Sequence, residues 1–177
     1  MDTHKLSKVE KIFFEKQVIK DQNTKIPYIL IDNFPDLGLI VSLRFLEWVI
    51  ENPEGVISLP TGKTPEYFIK WTHYLLKNWG NPRVEHIIRK HGFSTKDKPD
   101  LSKLIFVQID EFYPLNPDQH NSFSNYVTKY YLDGFNIPHD NALLINANNI
   151  TLFEGKHWSK IFPGGNINLS LRHKDPS

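Results

Sequence analysis

Gly55-Val56-Ile57-Ser58-Leu59-Pro60-Thr61-Gly62-Lys63-Thr64-Pro65 joins a short apolar run to a loop of glycine, threonine and lysine, then to a proline. The apolar run suits a buried strand. Pro65 suits the first position of a helix, where its missing N–H would have had no partner anyway. A loop and first helical turn of this kind present backbone N–H groups, and the helix dipole favours an anion there. Thr61 and Thr64 add hydroxyl donors and Lys63 a positive charge, so Thr61, Gly62, Lys63 and Thr64 are a candidate seat for the phosphate of a sugar phosphate. The segment is not a Walker A motif, because the glycine spacing before Lys63-Thr64 is absent, and it lacks the three glycines of a dinucleotide fingerprint. Alone, it also fits a plain strand-to-helix turn.

Outward from this stretch, the pattern alternates. Residues 3–16 read as an amphipathic helix with Leu6, Val9, Ile12 and Phe13 on one face. Ile26–Ile31 reads as a strand ending in the turn Asp32-Asn33. Helices are expected over 36–51, with Leu39, Leu43, Leu46 and Ile50 at helical spacing, over 65–79, and from Asn81-Pro82 to about Lys90. His91 to Lys103 is polar and reads as a loop. Leu104–Ile109 is the clearest strand, followed by a loop, a helix over Ser122–Leu132 and a strand over Ala142–Ile145. In the tail from Glu154 to Ser177, Ile167–Arg172 alternates like an edge strand. Strands alternating with helices predict βαβ units and a mainly parallel sheet, and strands apolar throughout predict a sheet covered on both faces. Ligands of such folds bind beyond the carboxyl ends of the strands. The Thr61–Thr64 loop and Asp110-Glu111 both fall there, so a shared cleft is expected.

Adjacent residues at a strand end point to opposite sides, so Asp110 and Glu111 do not form a matched acid/base pair. One of them is expected to face the cleft as a proton carrier, and the plainer role for such a carboxylate is a helix or loop cap. The eight histidines (His4, His73, His86, His91, His120, His139, His157 and His173) are scattered and read as solvated. No pair has zinc-site spacing, and His120 and His139, the two nearest the acidic pair, are assigned no metal.

The chain has 177 residues, 40% hydrophobic and 23% charged, which is one domain of ordinary globular composition. A net charge of +1 without a basic stripe argues against nucleic acid as the main partner. The absence of cysteine excludes disulfides, thiolate zinc sites and cysteine nucleophiles. The charged start lacks the apolar core of a signal peptide and no apolar run has membrane-spanning length, so the sequence reads as a cytosolic protein. Phe and Tyr are spread along the chain and read as core and rim packing.

Ser58–Pro65 together with Gln108-Ile109-Asp110-Glu111-Phe112-Tyr113-Pro114-Leu115 resembles the glucosamine-6-phosphate deaminase/6-phosphogluconolactonase family. Ser122–Tyr126 and Phe135–Pro138 continue the resemblance in order, and it spans roughly Ile29 to Ile145. It implies an α/β, Rossmann-like three-layer fold with a mainly parallel sheet, binding a sugar 6-phosphate with no organic cofactor. The family's proton-carrying aspartate falls on Asp110, with Glu111 beside it in the catalytic motif, and its phosphate-and-sugar loop falls on Thr61, Gly62, Lys63 and Thr64. Phe112 follows the acidic pair where lactonases usually place arginine, so the chain looks like the deaminase branch. Lys63 departs from the small residue more common there.

A larger departure lies later. The family's Asp-Gly-His segment, which assists ring opening, is absent, and the late Gly-rich piece Pro163-Gly164-Gly165-Asn166 lacks the acid and the histidine. Residues 1–177 are therefore expected to be an incomplete sugar-phosphate isomerase/deaminase-like domain, the N-terminal portion of such a protein, truncated before the sheet is complete and prone to self-association through an apolar edge. Three readings follow: a deaminase-like portion, inactive as it stands; a lactonase-type hydrolase; and a non-catalytic sugar-phosphate-binding module.

Overall fold

The structure, a computed structural model, describes residues 6–16, 28–93, 98–113 and 115–146. The tail from Glu154, with its edge-strand pattern and Gly-rich piece, lies outside the described residues. The chain divides into two compact units: a helical one, built up to Gly55 and over Gly62–Lys103, and a sheet unit formed by Val56–Thr61 and the chain from Leu104. No described helix is long and apolar enough to cross a membrane.

The helical unit opens with α1 (Lys8–Glu15), shorter than the expected helix because Ser7 caps it. The Ser7 hydroxyl accepts from the Glu10 N–H at 3.1 Å, and the Glu10 carboxylate accepts from the Ser7 N–H at 2.7 Å, a reciprocal box that closes the first turn. The run expected as a strand at Ile26–Ile31 is not one where it is described. Residues 26 and 27 lie outside, Tyr28–Ile31 are irregular, and Leu30 is exposed. The sheet of the described residues has three strands, and this run is not one of them.

In α2 (Phe34–Glu51), Asn33 caps the first turn through the Asp36 N–H at 2.9 Å. The buried stripe is Ile40, Leu43, Leu46 and Val49, while Leu39 is half-buried and Ile50 exposed, a rotation of the expected face. The cause is how closely α3 (Glu66–Lys77) packs against α2. A Cβ on Gly38 would lie 2.5 Å from the Tyr67 Cβ, so only glycine permits this approach. Beside it the buried Ser42 and Thr72 hydroxyls meet at 2.8 Å. The Thr72 hydroxyl donates to the Phe68 carbonyl, so Ser42 is the donor of the pair. α4 (Pro82–Lys90) follows the expected break, is capped by Asn81, and buries Val84 and Ile88.

The sheet unit holds β1 (Val56–Ile57), β2 (Ile105–Val107) and β3 (Ala142–Leu143), all parallel, in the order β1-β2-β3. Each is shorter than its apolar run. β1 stops where Ser58 turns its hydroxyl onto the Val107 carbonyl, and β2 stops at Gln108, whose N–H still reaches the Leu143 carbonyl at 3.0 Å. The register pairs Ile57 with Phe106 and Phe106 with Ala142 on one face, and Val56 with Ile105 and Val107 with Leu143 on the other. The first face is packed. The second is open, with Val56, Ile105 and Leu143 exposed by 61%, 41% and 66%, so the expected covering of both faces is not what the described residues show.

The packed face is closed by a continuous helical segment: α5 (Phe123–Val127), a π-helical turn over Thr128–Leu132, and α6 (Asp133–Phe135), ended by the left-handed Asn136. The wider turn brings two consecutive residues, Tyr131 and Leu132, into full burial. Aromatic side chains distant in sequence converge here. Tyr131 stacks on Phe106 at 5.7 Å and meets Phe135 at 5.5 Å and Tyr126 at 6.0 Å.

Candidate functional site

Asp110 and Glu111 lie just past β2, and their surroundings differ. Glu111 is half-buried and both its carboxylate oxygens are engaged. Oε1 accepts from the Phe123 N–H at 3.0 Å and from its neighbour Phe112 at 3.0 Å, and Oε2 accepts from Ser124 at 2.8 Å. With the Ser122 hydroxyl accepting from Asn125 at 2.9 Å, the first three N–H groups of α5 all end on side chains. A carboxylate at this end of a helix also meets the favourable end of its dipole. Asp110 is exposed, and among the described residues nothing holds its carboxylate.

Gln108, quoted in the motif but given no role by the sequence, braces this corner. Its buried side-chain amide donates to the Asp110 carbonyl at 2.8 Å and accepts from the Ile145 N–H at 3.0 Å. A second, longer contact reaches Glu111 at 3.4 Å. One side chain thus ties the end of β2, the acidic pair and the chain beyond β3. A buried glutamine after an apolar run was the available signal, because such an amide must find partners.

The Thr61–Thr64 loop runs from the sheet unit, which includes Thr61, into the helical unit, which includes Gly62, Lys63 and Thr64. Gly62 has φ +87°, a left-handed conformation that glycine adopts freely, and among the described residues nothing lies within 4 Å of where a Cβ would stand. Lys63 and Thr64 are exposed and Thr61 half-buried. Pro65 immediately precedes α3 rather than opening it, and its carbonyl accepts from Ile69 at 2.9 Å. The Glu66 N–H is not directed outward: it turns back onto the Lys63 carbonyl at 3.2 Å. The Glu66 carboxylate is hydrogen-bonded by Lys70, which lowers its pKa and partly offsets its charge at this helix end. On the sheet side, the buried Tyr131 hydroxyl donates to the Pro60 carbonyl. Burial, with a smaller contribution from Tyr126, raises the Tyr131 pKa, so the phenol stays protonated and remains a donor.

The histidines do not behave alike. His120 is exposed, and His139 pairs with Asp133 at 2.8 Å on the surface. His91, expected to be solvated, is buried: it stacks on Phe13 at 4.9 Å and its Nδ1–H donates to the Ile87 carbonyl at 2.7 Å. The reason is its position at the end of α4, where the ring covers α1. Among the described residues no three His, Asp or Glu side chains gather so as to hold a metal ion.

A parallel β-sheet with helices in the intervening chain defines the α/β class. A monomeric glucosamine-6-phosphate deaminase described as a missing link of the NagB superfamily shares this fold. The TM-score is 0.53 and the identity 19%, covering 67% of this chain and 42% of that one. No family model matches the chain. It is 26% identical over 145 residues to a glucosamine-6-phosphate deaminase of Clostridium botulinum strain Loch Maree, covering 81% of this chain and 52% of the relative. A deaminase of Clostridium tetani is 24% identical over 142 residues, again 52% of its length. These likenesses support a glucosamine-6-phosphate deaminase-like family for the chain, which spans about half the length of the curated relatives it matches.

Proposed function

We propose that the chain contributes a sugar-phosphate site of the deaminase kind, in which the Thr61–Thr64 loop receives the phosphate and Asp110 carries a proton. On the open-chain amino sugar, the Asp110 carboxylate takes the proton from C2 and returns it to C1, while a second proton passes from the C2 amino group to O1, leaving a C2 imine and a C1 alcohol. Water then hydrolyses the resulting C2 imine, releasing ammonia and fructose 6-phosphate. Glu111 holds the loop that carries Asp110, a positioning part rather than a second proton carrier.

One observation carries the reading. Of two adjacent carboxylates past β2, Glu111 is bound by backbone N–H groups while Asp110 is exposed and, among the described residues, unheld. That division leaves Asp110 available for proton transfer, which needs a carboxylate within reach of the carbon acid. Phe112 after the pair favours the deaminase branch over the lactonase one. Gly62, whose Cβ position no described residue approaches, and the exposed Lys63 favour close approach of a phosphate.

The test is ammonia release from glucosamine 6-phosphate by the protein as purified from its native source. Turnover abolished in Asp110→Asn by several orders of magnitude supports the reading. Hydrolysis of 6-phosphogluconolactone instead moves it to the lactonase branch. Binding without turnover, unchanged in Asp110→Asn, moves it to a non-catalytic module.

A further inference from the structure

We infer that the Tyr131 hydroxyl is a positioning group for the Thr61–Thr64 loop, aiming the Thr61 N–H outward for a phosphate dianion; this rests on the reading of that loop as a sugar-phosphate site. The Tyr131 ring is fully buried among Phe106, Tyr126 and Phe135, so it is anchored to β2 and to the helical segment that closes the sheet. Its hydroxyl reaches out of that cluster to the Pro60 carbonyl. A buried phenol is costly without a partner, and this bond supplies it.

The consequence for the loop follows from backbone geometry. The Pro60 ring fixes φ at that residue, and the hydrogen bond fixes the direction of its carbonyl, so little freedom is left in ψ. In a planar trans peptide the next N–H points opposite to that carbonyl. With the carbonyl held towards Tyr131, the Thr61 N–H points away from the core, at the start of the loop and next to the left-handed Gly62. Without the hydroxyl the peptide plane between Pro60 and Thr61 is free to turn, and the donor loses its aim. Burial keeps the phenol protonated, so the arrangement does not depend on pH in the ordinary range.

Tyr131→Phe retains the ring and removes only the donor. Phe106→Leu is the comparison, because it loosens the same ring without touching the hydroxyl. The readouts are backbone order parameters at Thr61 from 15N relaxation, affinity for glucosamine 6-phosphate by calorimetric titration, and melting temperature. Expected for Tyr131→Phe are a lowered order parameter at Thr61, affinity weaker by about tenfold and a melting temperature shifted by only a few degrees, the scale of one hydrogen bond. Phe106→Leu should melt lower than Tyr131→Phe and keep its affinity. If affinity instead follows melting temperature across the two variants, Tyr131 is merely structural and the inference is overturned. An unchanged order parameter at Thr61 in Tyr131→Phe overturns it as well, whatever the affinity. Absence of glucosamine 6-phosphate binding by the unaltered protein overturns the functional reading and with it the ligand part of this inference, while the order parameter still decides whether the tether exists.

Discussion

The Glu111 carboxylate accepts a hydrogen bond from the backbone N–H of Ser124 at 2.8 Å, across a separation of 13 residues. The adjacent Phe123 N–H reaches the other oxygen, so one acidic side chain starts α5 and closes the loop after β2. Glu111→Ala strips these donors of their acceptor. The expected cost is about 2–3 kcal/mol, since hydrogen bonds to a charged group are the stronger kind. Glu111→Gln should lose less, because its carbonyl oxygen still accepts. Urea unfolding of the two variants checks the order, and equal losses would contradict the capping role.

At Gly38 α2 lies close against α3, and there a methyl group acts against its usual sign. Gly→Ala within a helix normally gains up to about 1 kcal/mol. Here the added carbon would lie 2.5 Å from the Tyr67 Cβ and 2.6 Å from its backbone carbonyl carbon, so the helices must separate. Gly38→Ala should be destabilising by about 1–2 kcal/mol net, overpacking outweighing propensity. A thermal melt reads this directly, and a raised melting temperature would refute the close packing.

His91 makes the helical unit sensitive to acid. Burial lowers its pKa from the usual 6.5, with smaller contributions from the Lys16 and Lys90 charges; the Ile87 carbonyl acts the other way. The folded state therefore binds fewer protons than the unfolded chain as pH falls through and below 6.5. This contribution is complete above that pH and is lost as pH drops towards the lowered folded value. Urea midpoints between about pH 5 and 8 should show the slope. His91→Phe, which keeps a ring against Phe13, should flatten it.

Arg44 and Glu47 test a partly buried ion pair. Glu47 is buried and accepts from the Lys8 N–H at 2.9 Å, and its other oxygen lies 3.7 Å from the Arg44 guanidinium. Arg44 also reaches Glu10 at 3.4 Å. Arg44→Ala leaves a buried carboxylate without its cation and should cost about 2 kcal/mol, reduced from the value for a fully buried pair because the arginine is partly exposed. Adding Glu47→Gln should recover part of that loss, so the double variant should be more stable than additivity predicts. Strict additivity in denaturant melts would show that the pair does not interact.

How much of this was legible in the sequence depended on the range of the signal. Local signals worked: Asn81-Pro82 marked the break before α4, and the apolar runs around Val56, Phe106 and Ala142 marked the strands and their parallel class, while Asn33, read as a turn with the helix from residue 36, caps a helix that starts at Phe34. The acidic pair was placed correctly at the end of β2, and a cap was among the roles weighed for it. Which of the two would cap was not readable, because the partner N–H groups come from Phe123 and Ser124. Burial was equally opaque where it depended on a remote neighbour. His91 is hidden by Phe13, and the face of α2 is set by Tyr67 across from Gly38. The π-helical turn has no periodic signature, since its sequence reads as one continuous helix from Ser122 to Leu132.

That turn has a consequence for how the chain tolerates changes in length. A π-helical turn closes its hydrogen bonds over one residue more than an α-helix does. A residue removed within Thr128–Leu132 returns the segment to regular α-helix and leaves the faces of α5 and α6 in phase, whereas a deletion elsewhere in a helix rotates everything beyond it by about 100°. The straightened helix would present one inward residue where Tyr131 and Leu132 now stand side by side. This is the place where the segment can shorten and still fold. What it gives up is felt at Pro60, 71 positions earlier in the chain.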